Sequence, residues 1–181
     1  LSWEDLKEFK TSDLDRINGI TNSYSNLRLF GCKEKEVKLI FYRDRHAWCP
    51  YCQKIWLWLE LKNIPYRIKK INMYCYGKKE SWFLEKVRSG KLPAIEHNGK
   101  IVTESDNIIS FLEKEYGFLG TSINDLELQN TRQIEREIFR SWCEWLCRKK
   151  SIFSRPNIRE LKLREDLQKL ENLLANSETG F

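Results

Sequence analysis

The sequence predicts an α/β domain of element order βαβαββα followed by an all-helical piece, and three observations carry that prediction. Residues 37–42 and 66–71 have the apolar, aromatic and β-branched content of strands and flank a helix-length apolar segment over 53–62. They form a βαβ unit, whose crossover places its strands parallel and right-handed. Asn98-Gly99, the strongest short hairpin signal, separates residues 94–96 from 100–103 and predicts an antiparallel pair. Beyond residue 117 the strand signals stop and helical periodicity takes over.

Taken in order, Ser2-Trp3-Glu4-Asp5 reads as a short capping box, and Trp3, Leu6 and Phe9 at helical spacing predict a small amphipathic surface anchor. Residues 11–36 are polar and without periodicity, so 1–36 is read as an amino-terminal arm. The first helix ends at Asn63-Ile64-Pro65, since the residue before a proline leaves the helical region. A helix over 78–87 places Trp82, Phe83 and Val87 toward the core. Ser105 is expected to cap the next helix, which runs to Tyr116 with Ile108, Ile109 and Leu112 buried and Gly117 just past its end. These elements make up a domain over 37–117. Residues 125–150 read as a long helix with Ile134, Ile138, Trp142, Trp145 and Leu146 as its apolar stripe, and Arg155-Pro156-Asn157 breaks it. A last helix over 158–175 carries Leu161, Leu167, Leu170 and Leu174, so 125–181 is read as a helical domain.

The 181 residues, 41% of them hydrophobic and 32% charged, are enough for a real core. The net charge of +6 comes from lysines and arginines scattered among acids. That pattern is a solvated surface with a basic rim for an anionic small molecule, and argues against nucleic acid. Six unevenly spaced cysteines do not form a disulfide framework and point to a reducing compartment, the cytoplasm or another intracellular one, organelle import included. No apolar run reaches the length of a membrane span and the amino terminus lacks a secretory pattern, so no membrane association is expected. Any transit peptide would lie ahead of Leu1.

The chemistry-bearing stretch is Trp48-Cys49-Pro50-Tyr51-Cys52, at the passage from strand to helix. Pro50 suits the first helical position, where a missing N–H costs no hydrogen bond, and this leaves Cys49 at the positive end of the helix dipole. Thiols in such Cys-X-X-Cys positions titrate at roughly 3.5 to 7.5 instead of about 8.5. Cys49 is therefore the candidate nucleophile, and Cys52, one turn on, the candidate resolving thiol. Spacing alone leaves two other readings open: half of a zinc site completed by His46 or Cys32, though no second paired knuckle is visible, and two buried cysteines acting as small hydrophobes. No metal is expected. Cys143 and Cys147, one turn apart on the long helix, are either a redox pair or inert core residues.

The element order, with Cys-Pro-Tyr-Cys opening the first helix and Leu92-Pro93 ahead of the third strand, resembles the thioredoxin fold of glutaredoxins. Leu92-Pro93, then Glu104-Ser105-Asp106 at a helix start, then a helical domain, together resemble the glutathione transferase superfamily, closest to cysteine-containing classes such as omega. The resemblance spans residues 37 to about 150. It implies Cys49 as the catalytic cysteine, a cis peptide bond at Pro93, the Leu92 backbone pairing with the cysteinyl part of glutathione, and Glu104 with Ser105 at the γ-glutamyl site. Lys78 or Lys79 is the lysine for the glycyl end, in a segment whose length differs from that of omega-like members. The superfamily's helical domain continues past its second helix, so the expected helical part here is incomplete. Without the resemblance, Glu104-Ser105 is equally a plain helix cap. Its hydroxyl and helix-terminal N–H groups nevertheless suit a carboxylate, and Glu104 an ammonium group.

The resulting expectation is a glutathione-dependent thiol transferase or disulfide oxidoreductase. Cys49 would form a mixed disulfide with glutathione, the cosubstrate, while reducing a small disulfide, dehydroascorbate or a glutathionylated protein. The alternatives are conjugation of glutathione to an electrophilic substrate, and a non-catalytic module that binds glutathione or a protein. A homodimer is compatible with the resemblance.

Overall fold

The computed structural model describes residues 19–20, 22–147 and 158–175, and the chain divides into two units, Leu1–Gly120 and Thr121–Phe181. The expected helix at Trp3, Leu6 and Phe9 lies outside the described residues. In the first unit a five-stranded sheet of order β1-β3-β2-β4-β5 is built from β1 (Leu27–Arg28), β2 (Leu39–Asp44), β3 (Tyr66–Ile71), β4 (Ala94–His97) and β5 (Lys100–Thr103). β2 and β3 are parallel, joined by α1 (Pro50–Leu61), and the other neighbours are antiparallel. A 3-10 turn (Glu34–Glu36), α2 (Ser81–Lys86) and α3 (Ser105–Tyr116) complete the unit. The α/β class and the βαβαββα order are those the sequence predicts.

Alternation along β2 sends its residues to two separate layers. Tyr42 joins Ile71, Phe83, Val87 and Ala94 in a buried cluster beneath α2. On the other face Arg43 stacks on Trp56 of α1 with 4.8 Å from guanidinium carbon to ring centre. Lys54 of α1 reaches Asp106 of α3 at 2.6 Å, so these two helices share that side. Ile55, Leu59, Ile108 and Leu112 are fully buried there. The β4–β5 turn has Asn98 and Gly99 both at positive φ (50° and 80°), the conformation that selects Asn-Gly in a two-residue hairpin.

Several boundaries differ from the sequence-based reading. β2 starts two residues later than expected and continues through Arg43 and Asp44, because the ladder to β3 pairs these with Lys70 and Ile71. A charged dipeptide marks a strand end in sequence, yet both side chains are buried here. Residues within the expected arm join the sheet: β1 pairs with β3, and Arg28 bridges to Glu60 through two hydrogen bonds of 2.9 Å. Two residues carry no periodicity, so nothing local announces that strand. α2 begins only at Ser81, since Glu80 at its cap spends its carboxylate on Asn72 N–H and Arg45, and Trp82 is exposed. Glu104, not Ser105, is the cap of α3.

The second unit pairs α4 (Leu126–Leu146) with α5 (Ile158–Ala175). Asp125 caps α4 by accepting the Leu128 N–H at 3.1 Å. The expected apolar stripe is largely uncovered: Trp142, Trp145 and Leu146 are exposed, and the buried residue of α4 is Ser141. On α5 the buried side chains are Leu163 and Asp166, while Leu161 and Leu167 are exposed. A polar contact decides this register. The Asp166 carboxylate takes hydrogen bonds from Lys162 (2.9 Å), Lys169 (3.0 Å) and Ser141, and Lys169 also binds Glu137 of α4 at 2.6 Å.

Candidate functional site

The sheet register gathers the candidate residues before any side chain is considered. Tyr42 of β2 pairs with Ala94 of β4, and Ala94 pairs with Thr103 of β5. Three chain segments therefore converge at one end of the sheet: the turn after β2 that leads to Cys49, Pro93 just ahead of β4, and Glu104-Ser105 just after β5. Adjacent strands lie about 4.8 Å apart, so these segments are near neighbours. The Lys54–Asp106 ion pair joins the starts of α1 and α3 directly above them.

Cys49 is the cap of α1, extended at φ −72° and ψ 114°, with Pro50 opening the helix behind it. Both residues are buried, Cys49 at 7% exposure less deeply than Cys52 at 1%. A hydrogen bond from the Cys52 thiol is the main reason that the Cys49 thiol is lowered to about 6. Burial pulls it the other way, N–H groups of Cys52 and Tyr51 assist ionisation, and the charge of Asp44 opposes it. The same hydrogen bond, together with burial, pushes the Cys52 thiol far up. The pair thus shares one proton, carried by Cys52.

Around the thiols, Leu92-Pro93 is cis, and Leu92 packs against the cluster that contains Tyr42. Glu104 stands at positive φ (66°) at the start of α3, with its carboxylate 3.2 Å from Lys91. The Ser105 hydroxyl lies 3.5 Å from Asp106 Oδ1, so it is held only weakly. The two lysines part ways. Lys78 is exposed, while Lys79 is half-buried, donates to Asn72 O at 3.0 Å and lies 5.1 Å above the Tyr74 ring. Burial lowers the Lys79 ammonium, against the attraction of Glu80, Cys52 and Cys49, which places it on the thiol side.

Further groups at the site have no signature in the sequence pattern. His46 stacks on Trp48 (4.9 Å, 26°) and meets Tyr76 edge-on at 4.5 Å. Among the described residues no three of His, Cys, Asp and Glu come together in a metal-holding group. Trp48 and Tyr51 remain well exposed beside Cys49. Asp44 accepts the N–H groups of Trp48 (2.8 Å) and Cys49 (3.3 Å). An acid shortly ahead of a Cys-X-X-Cys pair is the one local sign that could have singled it out.

Comparison with known proteins meets this geometry on the same residues. The family model of the glutathione S-transferase N-terminal domain matches residues 48–115. The chain is 40% identical over 68 residues to glutathione S-transferase DHAR3, chloroplastic, of Arabidopsis thaliana, a match covering 38% of this chain and 25% of that protein. It is 29% identical over 137 residues to glutathione S-transferase omega-1 of Rattus norvegicus, covering 74% of this chain and 55% of the relative. Among solved structures, glutathione transferase Omega 3C from Trametes versicolor superposes with a TM-score of 0.59 at 26% identity, over 78% of this chain and 59% of that one. The chain spans from a quarter to about half the length of these curated relatives. Over the segment that carries both thiols, the cis-proline and the start of α3, the chain is similar in sequence and in fold to the amino-terminal domain of glutathione S-transferases.

Proposed function

We propose that this protein is a glutathione-dependent thiol transferase acting through a mixed disulfide on Cys49. The observation that carries the reading is a thiol lowered to about 6 at the start of α1, hydrogen-bonded by a buried second thiol. The names of the DHAR and omega relatives are consistent with glutathione as the cosubstrate.

In the first step the Cys49 thiolate attacks the glutathionyl sulfur of a mixed disulfide RS–SG, forming Cys49–S–SG and releasing RS⁻, which takes up a proton. A second glutathione thiolate then attacks the glutathionyl sulfur of that adduct. Oxidised glutathione leaves and the Cys49 thiolate returns, so one glutathione thiol has reduced RS–SG to RSH, and the glutathionyl group carried in by the substrate forms the other half of the oxidised glutathione. The internal route, in which Cys52 attacks Cys49 and expels glutathione, requires ionisation of a thiol that burial still disfavours once Cys49 is in a disulfide. Glutathione is accordingly the main resolving thiol. Glu104 and Ser105 would hold the γ-glutamyl end, the Leu92 backbone before the cis bond the cysteinyl part, and Lys79 rather than Lys78 the glycyl carboxylate.

The test is glutathione-dependent reduction of a small disulfide by the purified chain, with the trapped intermediate located by mass spectrometry. A glutathionyl group on the Cys49 peptide is the expected result. Its absence, with glutathione conjugated to an electrophile instead, would overturn the proposal.

A further inference from the structure

β2 ends on two consecutive charges, Arg43 and Asp44, both fully withdrawn from solvent. Burying a charge is costly unless its hydrogen bonds are replaced, so each needs a reason. Arg43 has a structural one: its guanidinium donates to Asp44 O (2.8 Å) and Ser23 O (2.6 Å) and stacks on Trp56. Asp44 points elsewhere. Its carboxylate takes the N–H groups of Trp48 and Cys49, and its own backbone N–H is directed at the Cys52 sulfur. One residue therefore touches the backbone of the nucleophile and the thiol that protonates against it.

We propose that Asp44 is a positioning residue for Cys49: its carboxylate draws the 45–48 turn onto the start of α1, and its negative charge faces the sulfur that it positions. This inference rests on Cys49 being the reactive thiol of the function proposed above, and deepens it. A neutral side chain could accept the same N–H groups, so the charge has a separate consequence. The charged and titratable groups that reach the thiol pair are Cys49 and Cys52 of α1, Arg43 and Asp44 of β2, and Lys79 of the loop before α2. Among these groups, Lys79 and Arg43 favour thiolate, whereas Asp44 adds negative charge. It keeps Cys49 less acidic than the helix terminus and Cys52 would make it. A less acidic thiolate is the stronger nucleophile and the poorer leaving group. Asp44 thus speeds attack on the incoming disulfide and slows release of Cys49 from the glutathione adduct.

The experiment is alkylation of Cys49 by iodoacetamide across pH in the full chain and in Asp44→Asn, with the Cys49 peptide quantified by mass spectrometry. Asparagine retains one acceptor oxygen and removes the charge. The inflection should move down by about half a pH unit or more, and the high-pH plateau rate should fall about 1.5- to 2-fold. A scaffold role alone would leave the inflection in place or raise it, and either result overturns the proposal. Should Asp44→Asn not fold, hydrogen exchange on the parent protein decides. The Trp48 and Cys49 amides should exchange about tenfold or more slowly than that of His46 in the same turn, and equal rates overturn the proposal. Both measurements read the thiol and its turn without turnover. A parent protein lacking glutathione-dependent activity would refute the proposed function and leave this inference standing.

Discussion

Cys49 and Cys52 differ by one helical turn in sequence and by opposite protonation states in the fold, and each substitution has its own expected outcome. Cys52→Ser should keep substantial glutathione-dependent disulfide reduction, because the hydroxyl can still donate to the Cys49 thiolate and glutathione resolves the adduct. Cys49→Ser should lose it, as a serine hydroxyl there is a poor nucleophile. Retained reductase activity in Cys49→Ser would exclude a Cys49 adduct. The thiol also links stability to pH. Its folded value, about 6, lies below the unfolded value of about 8.5, so its contribution is fully present above the latter and disappears as pH falls through the former. The melting temperatures of the parent and Cys49→Ser should therefore draw together between about pH 8.5 and pH 6, with no further change below.

At the scale of elements, β1 is held less by its two residues of ladder than by the side chain that it carries. Arg28 is 5% exposed, grips the Glu60 carboxylate with two bonds of 2.9 Å, and Glu60 also accepts the Tyr66 hydroxyl at 2.6 Å. Arg28→Ala would leave that carboxylate half-satisfied between α1 and β3. A loss of about 2 kcal/mol by chemical denaturation is expected, in the range for a hydrogen-bonded charge mostly removed from water. The helix pair has an acid-sensitive counterpart. Burial pushes the Asp166 carboxyl up, but bonds from Lys162, Lys169 and Ser141 outweigh it and hold the group below the usual carboxylate range. Its stabilisation is present above about pH 3.9 and is lost as pH falls through the lower folded value. The α4–α5 unit should lose helicity at that acid end, and Asp166→Asn should weaken it at neutral pH while removing the acid step.

For the molecule as a whole, we propose a glutathione-binding domain over 37–117 and a helical domain over 125–181, joined by an exposed link. Gly117, Phe118, Leu119 and Gly120 are all exposed, and the chain passes from one unit to the other at Gly120. Brief chymotrypsin treatment is expected to cut first at Phe118 or Leu119, giving two fragments. Initial cleavage inside β2–β5 would contradict that division. No helix among the described residues is long and apolar enough to cross a membrane. Glutathione and a small disulfide remain the proposed partners.

Local pattern was enough for the elements with strong periodicity or strong punctuation. Residues 66–71, the Asn98-Gly99 turn and Ser105–Tyr116 appear where alternation, positive φ and helical spacing place them. Pro50 likewise set Cys49 at a helix start, because a proline restricts its own backbone whatever surrounds it. The rest depended on contacts between distant residues. Arg43 and Asp44 look like a strand end until Ser23, Trp56, Trp48 and Cys49 are brought to them. The leucines of α5 show a helical repeat, yet Asp166 occupies the buried face because two lysines and Ser141 compensate its charge there. Propensity and spacing are properties of a few neighbouring residues and survive translation into structure. Burial of a charge is decided by partners that the chain supplies from elsewhere, so its outcome exists only once the chain has folded.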